Sequence, residues 1–187
     1  MTPDVNVVIS HSEYTVLVVD DVVSNVLLLK VLLTNEKFKV ITAGNGKEAL
    51  SQAVNARPDL ILLDVMMPEM NGFEVAERLK ADPETQHIPI IFLTALNTTA
   101  DIVKGFKVGA NDFISKPFNK EELVIRVTHQ ISLIAAKRII MKQTEELRKI
   151  IMGRDKLYSV IAHDLRSPMG AWPIKVRRMF SLCWIIY

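Results

Sequence analysis

Two rhythms of apolar residues alternate along the first two thirds of the chain. Short, unbroken apolar runs recur at 14–20 (YTVLVVD), 38–43, 60–63, 87–94 and 111–115. A run without polar alternation suits a strand covered on both faces, the signature of a parallel sheet. Between these runs the apolar positions shift to helical spacing. They fall at Val23, Val26, Leu27 and Val31 around 24–33, and at Ala49, Leu50, Ala53 and Val54 within 47–55. Phe73, Val75, Ala76 and Leu79 follow within 72–80, and a fourth helix is predicted over 97–108. Thr34-Asn35, Gly44-Asn45-Gly46, Pro58, Asp82-Pro83 and Gly109 punctuate the elements.

Strands alternating with helices of this length predict right-handed crossovers and a parallel sheet. Five such units make a doubly wound, flavodoxin-like α/β fold. In such a sheet the carboxyl ends of all strands converge on one edge, where open α/β folds bind their ligands. The strand ends here carry chemistry. The first closes on Asp20-Asp21, the third on Asp64, the fourth on Thr94, and Lys116 follows the fifth. Each alone has a structural explanation: an acidic residue can cap a helix, a threonine can end a strand, a lysine can decorate a surface. Together they put three carboxylates at one edge, which calls for a cation among them. Oxygen ligands at a water-accessible edge favour Mg²⁺. A lysine and a hydroxyl beside it complete a site for a phosphoryl group that one aspartate could attack. After Asp64, Pro68 and Asn71-Gly72 supply turn chemistry, with Asn-Gly suited to positive φ.

Composition adds boundaries. The chain has 187 residues, 49% hydrophobic and 24% charged, ordinary for a globular protein with one well-cored domain and an appendage. A single cysteine, Cys183, excludes an intrachain disulfide and a cysteine-based zinc site and fits a reducing, cytoplasmic setting. The N-terminus lacks the basic and apolar regions of a signal peptide. The longest apolar candidate, Met179 to Tyr187, has nine residues, far short of the ~20 a membrane span needs. Residues 1–118 carry ten Lys/Arg and fifteen Asp/Glu, and residues 119–187 carry thirteen and six, so an acidic segment precedes a basic one. The basic charges are scattered along a helical pattern without interleaved aromatics, which points to a solvated helix face rather than nucleic acid.

Four motifs in this segment, VLVVDD (Asp20, Asp21), LLDVMMPEMNG (Asp64), FLTA (Thr94) and FISKP (Phe113, Lys116), resemble the receiver domain of response regulators in two-component signalling. The resemblance covers 14–118, with the domain placed at 14–135 and a tail at 1–13. It implies that Asp64 accepts a phosphoryl group from a sensor histidine kinase or phosphotransfer protein, the receiver itself catalysing the transfer. It implies Mg²⁺ held by Asp20, Asp21, Asp64 and the carbonyl of Met66, with Lys116 and Thr94 contacting the phosphoryl oxygens. It further implies a cis Lys116-Pro117 bond and Phe113 in the switch position. Met66 and Leu96 would flank the line of water attack. Both are apolar, so slow self-dephosphorylation is expected. An aspartyl-phosphate hydrolase, a rival with a strand-end aspartate, usually carries Asp-x-Asp, whereas Val65-Met66 follows Asp64 here.

Beyond the fifth strand, Asn119 caps a predicted helix with Glu121 and Glu122 in its first turn and Leu123, Val127, Ile131 and Ile134 at helical spacing. No proline interrupts it until Pro168. A heptad seam runs through Ile140, Thr144, Leu147, Ile151, Arg154, Tyr158, Ile161 and Leu165, the pattern of a two-helix coiled coil and hence of a homodimer. Off that seam, within 136–170, the string Val-Ile-Ala-His163-Asp164-Leu-Arg-Ser-Pro168 resembles the phospho-acceptor segment of histidine-kinase dimerisation domains. The likeness stops there. Residues 171–187 match neither a continuing bundle nor a Gly-rich nucleotide site, so a truncated or frame-shifted hybrid kinase is expected, without an ATP site to act on His163. The alternative is a stand-alone receiver acting as a binding module with His163 inert.

Overall fold

The apolar runs become strands because both of their faces are covered. In the computed structural model β1 (Thr15–Val19), β2 (Lys39–Ala43), β3 (Leu60–Asp64), β4 (Ile90–Thr94) and β5 (Asp112–Ser115) form one parallel sheet in the order β2-β1-β3-β4-β5. The structure describes residues 10–95 and 99–169, with side chains up to Tyr158 except at 99–101, 155 and 157. A short 3₁₀ turn at His11–Glu13 precedes the sheet. The connecting helices are α1 (Val23–Asn35), α2 (Gly46–Ala56), α3 (Gly72–Ala81), α4 (Thr99–Lys107) and α5 (Lys120–Met169).

Successive strand residues point to opposite faces and so build two cores. Val16, Val18, Leu60, Leu62, Ile91 and Leu93 meet Leu29 and Leu33 of α1 and Leu123, Val127, Ile131 and Ala135 of α5. Leu17, Val19, Ile61, Leu63, Ile90 and Phe92 meet Ala49 and Ala53 of α2 and Phe73, Val75, Ala76 and Leu79 of α3. Each fully buried aliphatic side chain contributes about 1.5–3 kcal/mol, and truncating the buried Phe92 to alanine would cost about 3–5 kcal/mol. The doubly wound, flavodoxin-like architecture follows. Its strand order reverses between β1 and β3, which opens a crevice at their carboxyl ends.

Asparagines start three of the helices. Asn45, Asn71 and Asn119 each accept the backbone N–H three residues on, from Glu48, Glu74 and Glu122 at 2.9, 3.0 and 3.0 Å. α1 differs in two ways. The residue at its N-cap is Val22, which makes no side-chain cap bond. Its buried face is also not the one its spacing suggests: Leu29 and Leu33 are buried, while Val23 is 71% and Leu27 58% exposed, and Val31 is exposed too. Apolar residues surround this helix, so periodicity cannot select a side. Packing against the sheet does. In α2, Ala49 and Ala53 are buried as expected, whereas Val54 is exposed.

Two further expectations are corrected. The fourth strand begins at Ile90 rather than His87, because Pro89 has no N–H to give a ladder. The positive φ in the loop after Asp64 falls on Glu69 (φ 63°), not on Asn71, whose φ is −73° and which caps α3.

The chain divides into two units, Met1–Ala136 and Lys137–Tyr187. α5 begins in the first and its remainder lies in the second. In the second unit Ile140, Leu147, Ile151 and Tyr158 are exposed, as are Met141, Ile150 and Met152. No helix among the described residues is long and apolar enough to cross a membrane.

Candidate functional site

β3 delivers Asp64 to the sheet edge as its last residue, and β1 is followed at once by Asp20. These strands are neighbours, so the two carboxylates flank the crevice where strand order reverses. Asp20 is 1% exposed and Asp64 2%, whereas Asp21 is exposed. One oxygen from each of Asp20, Asp21 and Asp64 lies within 4.8 Å of the others. Such an all-carboxylate set suits a hard divalent cation that keeps part of its water.

Lys116 brings a positive charge to this edge. Its backbone N–H donates to the Thr94 carbonyl at 2.8 Å, which holds the end of β5 to the end of β4. Its ammonium then reaches Oδ2 of Asp20 and Oδ2 of Asp64, both at 2.8 Å. The Lys116-Pro117 bond is cis. Burial opposes the lysine's charge, but hydrogen bonds to Asp20 and Asp64 and their negative charges outweigh it, so its pKa lies above the ordinary value. Burial pushes the Asp64 carboxyl up. Lys116 and the Met66 N–H pull it down, Asp20 pushes it up further, and burial prevails.

Gly72 allows this crowding. A Cβ there would run into the Asp64 carbonyl oxygen and lie 2.9 Å from Val65 Cα. Its N–H donates to the Val65 carbonyl at 2.9 Å, so the loop folds back on the strand end and α3 starts against it. Met66 donates its N–H to Asp64 Oδ1 at 3.3 Å, and its side chain stands 62% exposed beside the site. Thr94 is buried at the end of β4, paired in register with Ser115. Phe113 lies half-buried in an aromatic row, tilted on Phe92 at 5.7 Å and edge-on to Phe106 at 5.0 Å. Gly105 of α4 lets the Phe113 ring approach, since a Cβ there would strike it.

Asp20, Asp21, Asp64 and Lys116 are thus brought together. Thr94 and Met66 stand at adjoining strand ends, and Phe113 lies under α4. Leu96 and the side chains of His163 and Asp164 lie outside the described residues. One neighbour escaped the sequence reading: Asn25, whose Nδ2 donates to both oxygens of Asp20 at 3.1 and 3.0 Å. The only signal was a carboxamide five residues after an acidic strand end, in the first turn of a helix.

A five-stranded doubly wound domain whose switch-point crevice holds three carboxylates and a lysine belongs to the flavodoxin-like class of α/β domains. Residues 16–128 match the family model of the response regulator receiver domain, and the chain belongs to that family. It is a receiver domain of two-component signalling. Over 134 residues it is 46% identical to the response regulator PleD of Caulobacter vibrioides, covering 72% of this chain but only 28% of PleD. Chemotaxis protein CheY4 of Vibrio cholerae superposes with a TM-score of 0.60 at 35% identity, over 62% of this chain and 97% of CheY4. The receiver domain of sensor histidine kinase PA1611 from Pseudomonas aeruginosa, solved with magnesium coordinated in its active-site cleft, superposes at 0.59 with 28% identity, over 64% of this chain and 98% of that domain.

Proposed function

We propose that Asp64 accepts a phosphoryl group from a phosphohistidine of a sensor histidine kinase or phosphotransfer protein, and that the receiver switches state as a result. The observation that carries this reading is the placement of one lysine ammonium 2.8 Å from two buried carboxylates at the switch-point crevice. An Asp64 oxygen bonds to phosphorus as the donor's P–N bond breaks, and the departing imidazole takes a proton from solvent. Asp20, Asp21 and Asp64 fit Mg²⁺ by donor type and spacing, and the receiver resemblance adds the Met66 carbonyl as a fourth ligand. When bound, Mg²⁺ neutralises charge on the phosphoryl oxygens. Lys116 supplies a second positive charge at the same point, already poised against Asp64. The Thr94 hydroxyl, at the neighbouring strand end, donates to a phosphoryl oxygen, and Phe113 follows it inward. Met66, exposed and apolar, offers no group to orient a water, so phospho-Asp64 is long-lived.

In the second unit, the exposed Ile140, Leu147, Ile151 and Tyr158 support homodimerisation through a helical seam. His163 with Asp164 is a second phospho-acceptor in this reading, consistent with a hybrid-kinase remnant working in the cytoplasm. The competing reading is a receiver that acts only by binding a target when phosphorylated, with His163 inert.

Intact mass after exposure to a small-molecule phosphodonor, with and without Mg²⁺, separates the readings. One Mg²⁺-dependent phosphoryl gain, removed by hydroxylamine and absent in Asp64→Asn, is expected. A second adduct lost in His163→Ala would support the relay remnant. No adduct would sink the acceptor role.

A further inference from the structure

The start of α1 is built differently from the asparagine-capped starts of α2, α3 and α5. With Val22 unable to cap, the Val22 N–H donates instead to Asp20 Oδ1 at 2.9 Å. Two residues into the helix, Asn25 turns its Nδ2 back to the same carboxylate and spans both oxygens, at 3.1 and 3.0 Å. From the crevice side Lys116 takes Oδ2 at 2.8 Å. The carboxylate is buried and gripped by three donors from two parts of the chain.

A bridging donor does more than add a bond. Asn25 can reach both oxygens only when the carboxylate plane holds one rotation about its Cβ–Cγ bond. In that rotation an Asp20 oxygen stays within 4.8 Å of oxygens from Asp21 and Asp64. We propose that Asn25 is a positioning residue for divalent-cation binding: it touches no ion itself but locks Asp20 in the orientation the three-carboxylate site requires. The proposal rests on the phospho-acceptor reading of that site.

The opposite sign has its own logic. A carboxylate has about four lone-pair positions, and three donors already draw on them. If acceptor capacity limits binding, removing Asn25 frees a position and Mg²⁺ binds more tightly. If orientation limits binding, removing Asn25 loosens the ligand and Mg²⁺ binds more weakly. Partners that orient a metal ligand typically matter by 10–100-fold in affinity. Without Asn25 each oxygen keeps a single donor, Val22 on Oδ1 and Lys116 on Oδ2, and the carboxylate plane is left freer to rock but not unheld. Orientation therefore prevails, and the effect falls at the lower end of that range.

The test is calorimetric titration of the full chain with MgCl₂, alongside thermal unfolding followed by circular dichroism. Asn25→Ala removes the amide, and Asn25→Leu removes both donors while keeping the bulk and suiting a helix. Asn45→Ala, which deletes the asparagine cap of α2, controls for loss of a helix-start bond. The expected result is a Mg²⁺ dissociation constant raised about tenfold in both Asn25 variants and unchanged in Asn45→Ala. Asn25→Gln, with the amide on a longer arm, recovers part of the loss. Equal or tighter Mg²⁺ binding by a folded Asn25→Leu chain overturns the proposal. So does a loss shared by Asn45→Ala, which would reduce Asn25 to a helix-start residue. A wild-type chain that binds no Mg²⁺ would instead overturn the site and this role with it.

Discussion

Replacing Asp64 by asparagine should make the receiver more stable while abolishing its acceptor. At an effective dielectric of about 20, two charges 4.8 Å apart interact by about 3.5 kcal/mol and two at 2.8 Å by about 6 kcal/mol. Asp64 faces Asp20 and Asp21 at the first spacing or closer and Lys116 at the second. Asp21 is exposed, so solvent screens its share. Repulsion and attraction are then comparable, and neither decides. Desolvation does, because a buried ion carries an effective penalty of several kcal/mol, and burial is the leading cause of the raised Asp64 pKa. Asparagine removes that penalty and keeps one oxygen for Lys116, at the loss of the longer 3.3 Å bond from the Met66 N–H, which its amide nitrogen cannot accept. The expected gain is about 2 kcal/mol at pH 7.

Its pH dependence is fixed in sign. The unfolded chain releases the Asp64 proton near its ordinary value, about 4, while the folded chain holds it to higher pH. The wild-type penalty is therefore absent below about pH 4 and full once pH has passed the folded pKa. Urea unfolding of both chains at pH 7 and pH 4, in EDTA, should show the advantage of Asp64→Asn at the higher pH and its disappearance at the lower. Added Mg²⁺ should stabilise the wild type and leave the variant nearly unmoved. A variant less stable than wild type at pH 7 would refute the reasoning and show that the Lys116 ion pair dominates.

Gly72→Ala sets two effects against each other. Alanine favours helix by about 1 kcal/mol, but its methyl meets the Asp64 carbonyl and Val65 Cα, where neither backbone atom can swing aside. Overpacking of about 1–3 kcal/mol wins, to be seen as a lower urea midpoint together with slower phosphorylation. Met66→Asn with Leu96→Glu should shorten the lifetime of phospho-Asp64 by roughly tenfold, since both side chains can then hold a water; equal decay in hydroxylamine-quenched time courses would remove the lifetime argument. Ile151→Asp should shift sedimentation from dimer to monomer while leaving the receiver's unfolding unchanged, and a wild-type monomer would dispose of the helical seam.

The strand runs, the helix count and the convergence of Asp20, Asp64, Thr94 and Lys116 on one edge were legible in the chain. A parallel sheet leaves its strands only one kind of covering, and strand polarity sends every C-terminal end the same way. Asn119 as a cap and the buried stripe Leu123, Val127, Ile131 were equally readable, because capping and 3.6-residue periodicity are local. Tertiary structure decided the rest. It chose which side of α1 faces the sheet, since a helix apolar all round has no preferred phase. It placed the left-handed residue on Glu69 and gave Gly72 the task of close approach, because the loop must fold back onto Val65. Most of all, it set Asn25 and Lys116, ninety-one residues apart, on the same Asp20 carboxylate. Such a partnership is invisible in one dimension because it depends on the ends of β1 and β5, far apart in sequence and separated by two strands in the sheet, opening onto the same edge.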